Sequence, residues 1–234
     1  MLDLSAIRAI GLDLDDTLWP VWPVIASAER AMQDWLVPHA PHTAALFADT
    51  AQRIALREQV VLAHPELGHD LGALRRMTIV AALRQHGEDE ALADGAFEVF
   101  VAARMQVVFY EDVLPALARL ASRYPIVAIS NGNADIQRVG LGAYFRDSMS
   151  AQRFGAAKPD ARIFCAAAEV VDVPVQALLH VGDDPALDVL GGLDAGAQTV
   201  WVNRGRHDWP HARRPHAEVA DMLALCRLLE LDAS

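Results

Sequence analysis

The sequence predicts an α/β fold in which a parallel sheet carries helices on both faces and a separate helical domain is inserted into it. Two observations indicate the sheet. Short apolar segments alternate with helical patterns, and a polar or glycine-rich turn follows each apolar segment. A third observation indicates the insertion, because residues 21–110 show helical spacing and no strand pattern interrupts them.

The predicted elements follow one another in a regular order. The apolar segments predicted as strands are Ile7–Leu14, Pro125–Ser130, Leu178–Gly182 and Gln198–Val202. The helices predicted between and after them are Val113–Arg123, Pro159–Val171, Pro185–Ala195 and Ala217–Leu231. The helices predicted in the insertion are Val24–Leu36, Ala44–Ala63, Leu71–Gln85 and Glu90–Val107. We therefore predict a core made of residues 1–20 and 111–234, and a helical domain made of residues 21–110.

Composition and charge narrow the classes of function. Hydrophobic residues make up 53% of the 234 residues and charged residues 22%, as in an ordinary globular protein. The formal net charge of −11 argues against a nucleic-acid partner, which would require many basic side chains. The N-terminal segment lacks the features of a signal peptide, and no apolar run is long enough to span a bilayer. We expect a cytoplasmic protein with no membrane partner, either a monomer or a homodimer.

The first polar cluster, Asp13 to Thr17, directly follows the first predicted strand. Strand alternation places Asp13 and Asp15 on one side, where two carboxylates are stable together if a cation compensates them. Oxygen ligands favour Mg²⁺. Asp13 is then a candidate nucleophile towards phosphorus and Asp15 a candidate general acid and base. Thr17 is a candidate for binding phosphate or fixing the loop, and on its own the cluster is also compatible with an acidic turn.

The second and third clusters supply groups that suit an anion. Ser130, Asn131 and Gly132 follow the second predicted strand, and their hydroxyl and backbone amides are candidates for binding phosphate oxygens. Lys158 precedes a predicted helix, a position that opposes the helix dipole unless an anion is present. Its ammonium could neutralise phosphoryl oxygens and the carboxylates. An ordinary helix cap and a surface lysine are the alternatives for these positions.

The fourth cluster again places acidic residues at the end of a strand. Asp183 is the best candidate for a second metal carboxylate, and Asp188 is a further candidate for holding or orienting the metal site. Asp184 could cap the helix, bond Lys158 or support the metal. Because the carboxyl ends of parallel strands share one edge, all four clusters are expected to meet there.

These motifs, in this order, resemble those of the haloacid dehalogenase (HAD) superfamily. They are DLDDT at 13–17, SNG at 130–132, KPD at 158–160 and GDDPALD at 182–188. The resemblance implies a Rossmann-like core, a helical cap inserted after the first strand, and phosphate-ester hydrolysis through an aspartyl-phosphate. It also implies Mg²⁺ held by Asp13, the backbone carbonyl of Asp15, and Asp183. Dehalogenases of the family usually lack the second aspartate, so Asp15 points to a phosphatase.

Two segments, residues 126–145 and 178–189, are similar to a bacterial branch of this family. That branch hydrolyses flavin mononucleotide (FMN) and 5-amino-6-(5-phospho-ribitylamino)uracil, so a small phosphorylated metabolite is the expected partner. A general sugar-phosphate or nucleotide phosphatase is the first alternative. A phospho-receiver signalling domain is the second, although such domains need neither Asp15 nor a long helical insertion.

Several further residues are candidates for contact with substrate. The rings of Trp19 and Trp22 could stack on a flat substrate, with core packing as the alternative. Arg75 and Arg76 lie on a helix of the insertion, where either could bind substrate or face solvent, and we select Arg76. The basic, histidine-rich segment 203–216 is predicted to be a surface loop, with contact to substrate or to the insertion as the alternative.

Overall fold

The computed structural model describes residues 1–231, and the chain divides into two compact units. The first unit joins Met1–Pro20 to the chain from Val108 onward, and the second unit is Val21–Val107. This second unit is three residues shorter than the predicted helical domain, residues 21–110. Residues 232–234, which the predicted core includes, lie outside the described residues.

The first unit is built on a parallel sheet, which confirms the predicted fold class. Within the described residues the sheet has six strands: β1 Ala9–Leu12, β2 Ile126–Ser130, β3 Asp147–Ser150, β4 Leu178–Gly182, β5 Gln198–Val202 and β6 Ala217–Val219. Their order is β3-β2-β1-β4-β5-β6 and each neighbouring pair is parallel. The strand order along the chain reverses at β1, and ligands bind beyond the carboxyl ends of strands at such a point.

Helices cover this sheet because its central strands are mainly apolar and buried throughout. Every residue of β1, β2, β4 and β5 is buried, which requires cover on both faces. The α-helices of this unit are α6 Val113–Arg123, α7 Ala151–Phe154, α8 Ala161–Val170, α9 Gly191–Ala195 and α10 Met222–Leu228. A π-helix, Pro185–Leu190, leads into α9. The buried side chains of α6 recur at helical spacing, at positions 113, 116, 117 and 120.

The second unit is entirely helical in its regular structure. Its α-helices are α1 Val21–Leu36, α2 Pro41–Ala48, α3 Thr50–Ala63, α4 Leu71–Gln85 and α5 Leu92–Arg104. The buried residues of α1 occur at every fourth position from Val24 to Leu36. The last three of them, Ala28, Met32 and Leu36, join a core that includes Ile79, Leu83 and Phe100. No helix in residues 1–231 combines the length and apolar character needed to cross a membrane.

The structure differs from the predicted elements at three places. β3 and β6 were not predicted, because each is a short edge strand with partly exposed side chains and no continuous apolar run. The predicted helix Ala44–Ala63 is two helices, since the Asp49 carboxylate caps α3 by accepting from the amides of Ala51 and Gln52. The predicted helix Ala217–Leu231 begins only at Met222, after β6.

Candidate active site

The turn after β1 places Asp13 and Asp15 at the carboxyl edge of the sheet. The amide of Asp13 donates to the Val181 carbonyl of β4 at 2.9 Å, which fixes Asp13 beside the neighbouring strand. The chain then reverses, and the amide of Asp16 donates to the Trp19 carbonyl at 2.8 Å. Asp16 has a φ of 57°, a left-handed conformation that aspartate tolerates better than most residues. Asp16 is thus a turn residue.

Lys158 connects two of the predicted carboxylates. Its Nζ lies 2.6 Å from Asp13 Oδ1 and 2.6 Å from Asp188 Oδ1, and the whole group is buried. Asn131 holds the backbone of Lys158 in place, because its side chain accepts from the Lys158 amide at 2.7 Å and donates to the Lys158 carbonyl at 2.9 Å. The side chain of Asn131 therefore positions the lysine. The backbone amide of Asn131 remains the predicted phosphate contact.

Asp188 is fixed by bonds to both of its carboxylate oxygens. Oδ1 accepts from His180 Nε2 at 2.8 Å as well as from Lys158, and Oδ2 accepts from the Asp184 amide at 3.0 Å. A carboxylate only accepts, so Nε2 carries the imidazole proton. The fit also depends on Gly182, since a Cβ at that position would lie 2.2 Å from Asp188 Cγ. Asp184 caps the following π-helix, which decides among its predicted roles.

Asp183 lies beside this group and is held from two directions. The Thr17 hydroxyl donates to Asp183 Oδ1 at 3.1 Å, and Trp201 Nε1 donates to the Asp183 backbone carbonyl at 2.7 Å. Thr17 is fully buried, so its hydroxyl links the turn after β1 to the turn after β4. The predicted role of Thr17 in fixing the loop agrees with this geometry.

Crowding of carboxylates sets the electrostatics of the site. Burial raises the pKa of Asp13 well above its ordinary value. The attraction of Lys158 opposes this effect without outweighing it, and repulsion from the carboxylates of Asp188 and Asp183 adds to it. Burial and Asp188 raise the pKa of Asp183 to about 7. Burial alone would lower the pKa of Lys158, but its two carboxylate partners raise it. Burial also opposes ionisation of Asp188, yet Lys158 and His180 hold its pKa well below the usual range.

This donor set fits a divalent cation. Asp13, Asp183 and Asp188 each offer a carboxylate oxygen, and these oxygens lie within 4.8 Å of one another. Among the described residues, the buried ammonium of Lys158 contacts Asp13 and Asp188, and a divalent cation would compensate the remaining negative charge of the three carboxylates. Oxygen ligands alone suit Mg²⁺ better than softer metals.

Ser130 ends β2 at the same edge of the sheet. It is buried, and its Oγ accepts from the Gly132 amide at 3.0 Å. The register of the sheet places Ser130 one strand away from Asp13, because β2 pairs directly with β1. The Gly132 amide thus already has an acceptor in this turn, and the predicted contact of that amide with a phosphate oxygen would replace this bond.

The structure corrects the predicted substrate contact of Trp19. Its side chain is fully buried, packs edge-on against Phe109 with ring centroids 5.8 Å apart, and donates from Nε1 to Asp15 Oδ1 at 2.8 Å. A ring without exposed surface cannot stack on a substrate. Trp19 is a core residue that orients Asp15.

The two arginines of this helix, Arg75 and Arg76, have different surroundings. Arg76 is exposed and forms an ion pair with Asp94 on the adjacent helix. Its neighbour Arg75 instead lines a cavity of about 350 Å³ within Val21–Val107. Consecutive residues on a helix point about 100° apart, which explains why one arginine faces the cavity and the other does not.

Two residues that support the site were not predicted from the sequence. His180 lies within the otherwise apolar strand β4, and a lone polar residue in such a strand was the available signal. Arg204 forms two hydrogen bonds to Asp112, at 3.0 and 2.9 Å, and also donates to the Thr17 carbonyl at 2.9 Å. Its guanidinium lies 3.9 Å from the ring centre of Tyr110. The basic loop therefore contributes a residue that fixes the turn after β1.

Comparison with known proteins agrees with this geometry. Residues 7–196 match the family model described as haloacid dehalogenase-like hydrolase. The chain belongs to this family. It is 34% identical over 234 residues to the 5-amino-6-(5-phospho-D-ribitylamino)uracil phosphatase YigB of Escherichia coli, an alignment that covers 97% of this chain and 98% of that protein.

Other known proteins are similar over nearly the whole chain. A mouse N-acylneuraminate-9-phosphatase is 24% identical, with 98% of this chain and 96% of that protein covered. A crystal structure described as a 2-haloacid dehalogenase from Pseudomonas syringae pv. Tomato DC3000 has a TM-score of 0.90 and 36% identity, and covers 96% of this chain and 98% of its own. The curated relatives are phosphatases, and this chain is a phosphoric monoester hydrolase, as the sequence predicts.

Proposed function

We propose that this chain is a Mg²⁺-dependent phosphomonoesterase that forms an aspartyl-phosphate on Asp13. One observation carries the proposal: the Asp13 carboxylate ends the central strand and lies 2.6 Å from the buried ammonium of Lys158. A nucleophilic carboxylate needs a fixed position and nearby positive charge for the phosphoryl oxygens. Asp13 has both, at the point of the sheet where ligands bind.

The residues at this edge can carry out both halves of the reaction. Asp13 attacks phosphorus while the bond from phosphorus to the leaving oxygen breaks, and Asp15 donates a proton to that oxygen. Asp15 then accepts a proton from a water molecule, which attacks the aspartyl-phosphate and releases orthophosphate from Asp13. Lys158 neutralises charge on the phosphoryl oxygens, and Ser130 with the amides of Asn131 and Gly132 holds them.

A magnesium ion would be held by Asp13, the backbone carbonyl of Asp15, and Asp183. When bound, it would neutralise the phosphoryl oxygens and compensate the crowded carboxylates. Asp188 lies within reach of the same point, but both of its oxygens already accept hydrogen bonds. We therefore assign Asp188 to the positioning of Lys158.

Titration with Mg²⁺ tests the metal without relying on turnover. Because the ion relieves repulsion in the folded state, a concentration of about 100 times its Kd should stabilise the protein by about 2.7 kcal/mol. EDTA should abolish hydrolysis and the increase in Tm together, and Asp183→Asn should weaken both effects. A Tm that does not respond to Mg²⁺, with hydrolysis unaffected by EDTA, would reject the metal.

The proposed substrate is 5-amino-6-(5-phospho-ribitylamino)uracil, with FMN as a second candidate. The similarity to YigB over nearly the full length of both chains supports this choice. Relatives named for other phosphate esters are less similar, so a general sugar-phosphate or nucleotide phosphatase is the alternative. A cytoplasmic setting, a monomeric or homodimeric state and the absence of a nucleic-acid partner also remain proposals.

A panel of substrates tests this assignment. We expect kcat/KM for the phosphorylated ribitylaminouracil to exceed that for sugar phosphates, nucleotides and phosphoserine by at least about tenfold, a difference of 1.4 kcal/mol. FMN should rank second. A 2-haloacid belongs in the panel because of the solved structure named for that activity, and Asp15 predicts no halide release. Equal, slow hydrolysis of all esters would favour the general phosphatase, and halide release would contradict the proposal.

A further inference from the structure

The second unit contains a cavity that the proposed reaction does not explain. It has a volume of about 350 Å³ and lies among α1, α2, α3 and α4, within Val21–Val107. This volume is in the range of pockets that hold small organic ligands. Apolar side chains, including Trp22, Phe47 and Ile54, form part of its wall.

The charged residues in this cavity carry an excess of positive charge. Among the described residues, its lining has three arginines, Arg53, Arg57 and Arg75, and one acidic residue, Glu29. Glu29 forms ion pairs with two of these arginines. Its Oε2 lies 3.3 Å from Arg53 Nη1 and its Oε1 lies 3.3 Å from Arg75 Nη1. Arg57 forms no ion pair or hydrogen bond with any residue in the described part of the chain. The lining of this cavity thus has a net positive charge, in a chain whose formal net charge is −11.

Arg75 shows that this positive charge is partly removed from solvent. Its side chain is 13% exposed, and its guanidinium lies 3.8 Å from the centre of the Phe100 ring. Burial lowers the pKa of Arg75 to about 10, and the nearby Arg57 adds to this effect although Glu29 opposes it. A desolvated guanidinium beside a second cation is stabilised when a hydrogen-bond acceptor or an anion binds there.

The rim of the cavity exposes large apolar side chains. Trp22 is 76% exposed and Ile54 is 49% exposed, although both are large and apolar. An exposed indole beside arginines offers a surface for a flat ring whose edge carries acceptors. Trp22 therefore differs from Trp19, which has no exposed surface.

We infer that this cavity binds a flat, acceptor-rich ring, such as a pyrimidinedione, with its face against Trp22 and its carbonyl edge towards Arg57 and Arg75. This inference is based on the apolar wall of the cavity, on the pairing of Glu29 with two arginines, and on the unpaired Arg57. It rests on the proposed function only for the choice of probes, because the ring of the proposed substrate belongs to this class.

Calorimetric titration of the full chain tests the inference without turnover. The probes are the phosphate-free 5-amino-6-ribitylaminouracil and riboflavin, with orthophosphate as the control ligand. Arg57→Gln should weaken binding of both rings by about tenfold, as expected for the loss of one hydrogen bond from a charged group. The matched control is Arg84→Gln, an exposed arginine of the same unit that bonds Glu90 and does not line the cavity. That variant should bind the rings as the wild type does, and Trp22→Ala should bind them more weakly.

Kinetics with p-nitrophenyl phosphate distinguish two sources of the ring, the substrate itself and a separate effector. Competitive inhibition by the ring compounds, lost in Arg57→Gln, would identify the ring as part of the substrate. A change in kcat that Arg57→Gln removes would identify a separate effector of the same chemistry. No binding of either ring by the wild type at millimolar concentration, or equal affinity in Arg57→Gln and Arg84→Gln, would overturn the inference. Failure of the proposed function would appear separately, as binding of the ring without hydrolysis of its phosphate ester.

Discussion

The two compact units arrange their charged side chains in opposite ways. At the edge of the sheet, carboxylates surround one buried ammonium, and hydrogen bonds hold nearly all of these groups in place. In the cavity of the second unit, arginines surround one glutamate, and the apolar wall is open to solvent. The first arrangement is suited to chemistry, which needs fixed groups, whereas the second is suited to recognition, which tolerates adjustable ones.

The largest expected effect belongs to Asp13→Asn in the first unit. The amide is nearly the same size and can still accept from Lys158, but it is not a nucleophile. We expect kcat for p-nitrophenyl phosphate to fall by about 10⁴-fold or more, as for loss of other catalytic nucleophiles. Circular dichroism and Tm should confirm that the variant is folded. Substantial residual turnover by a folded variant would remove Asp13 from its proposed role.

The two tryptophans that flank the boundary between the units should respond differently to truncation. Trp19→Ala removes a fully buried ring and should lower the free energy of unfolding by about 3–5 kcal/mol. Trp22→Ala removes an exposed ring and should change stability by no more than about 0.5 kcal/mol. Denaturation by urea measures both variants. Equal losses of stability would contradict the contrast between a core residue and a ligand-facing one.

A smaller effect is expected from His180, which reaches the proposed nucleophile only through Asp188 and Lys158. His180→Leu removes the donor to Asp188 and should lower kcat by about tenfold, equivalent to 1.4 kcal/mol, with little change in KM. His180→Gln keeps a donor and should recover part of the loss. If kcat is unchanged in the leucine variant, or if stability alone falls, His180 has only a structural role.

The contrast among these residues shows what the sequence can predict. Asp13, Lys158 and Asp183 were predicted because each follows a strand or precedes a helix whose pattern is local and clear. Their common location then follows from parallel topology. The role of Arg204 was not predictable in this way, because its partners Thr17 and Asp112 are distant in sequence. Only the folded chain brings that loop to the turn after β1.

The choice between neighbouring side chains was also beyond the sequence. Trp19 and Trp22 both follow the first motif, and both arginines at 75–76 lie on one helix, so pattern alone assigns them equal roles. Burial separates each pair. On their helix, a rotation of about 100° per residue sends Arg75 and Arg76 towards different surroundings, whereas Trp19 precedes α1 and is buried while Trp22 is exposed. The identity of the lining residues therefore depends on packing that a single sequence does not specify.

The smallest expected effect tests this separation directly. Arg76→Gln removes an exposed arginine that pairs with Asp94 and does not line the cavity. Because exposed ion pairs contribute little, kcat/KM for every substrate should stay within about twofold of the wild type. If the ring that the cavity binds belongs to the substrate, Arg75→Gln should instead raise KM for the phosphorylated ribitylaminouracil while leaving KM for a sugar phosphate less affected. A selective rise in KM for Arg76→Gln, with Arg75→Gln folded and unaffected, would restore the original assignment of Arg76 and move recognition away from the cavity.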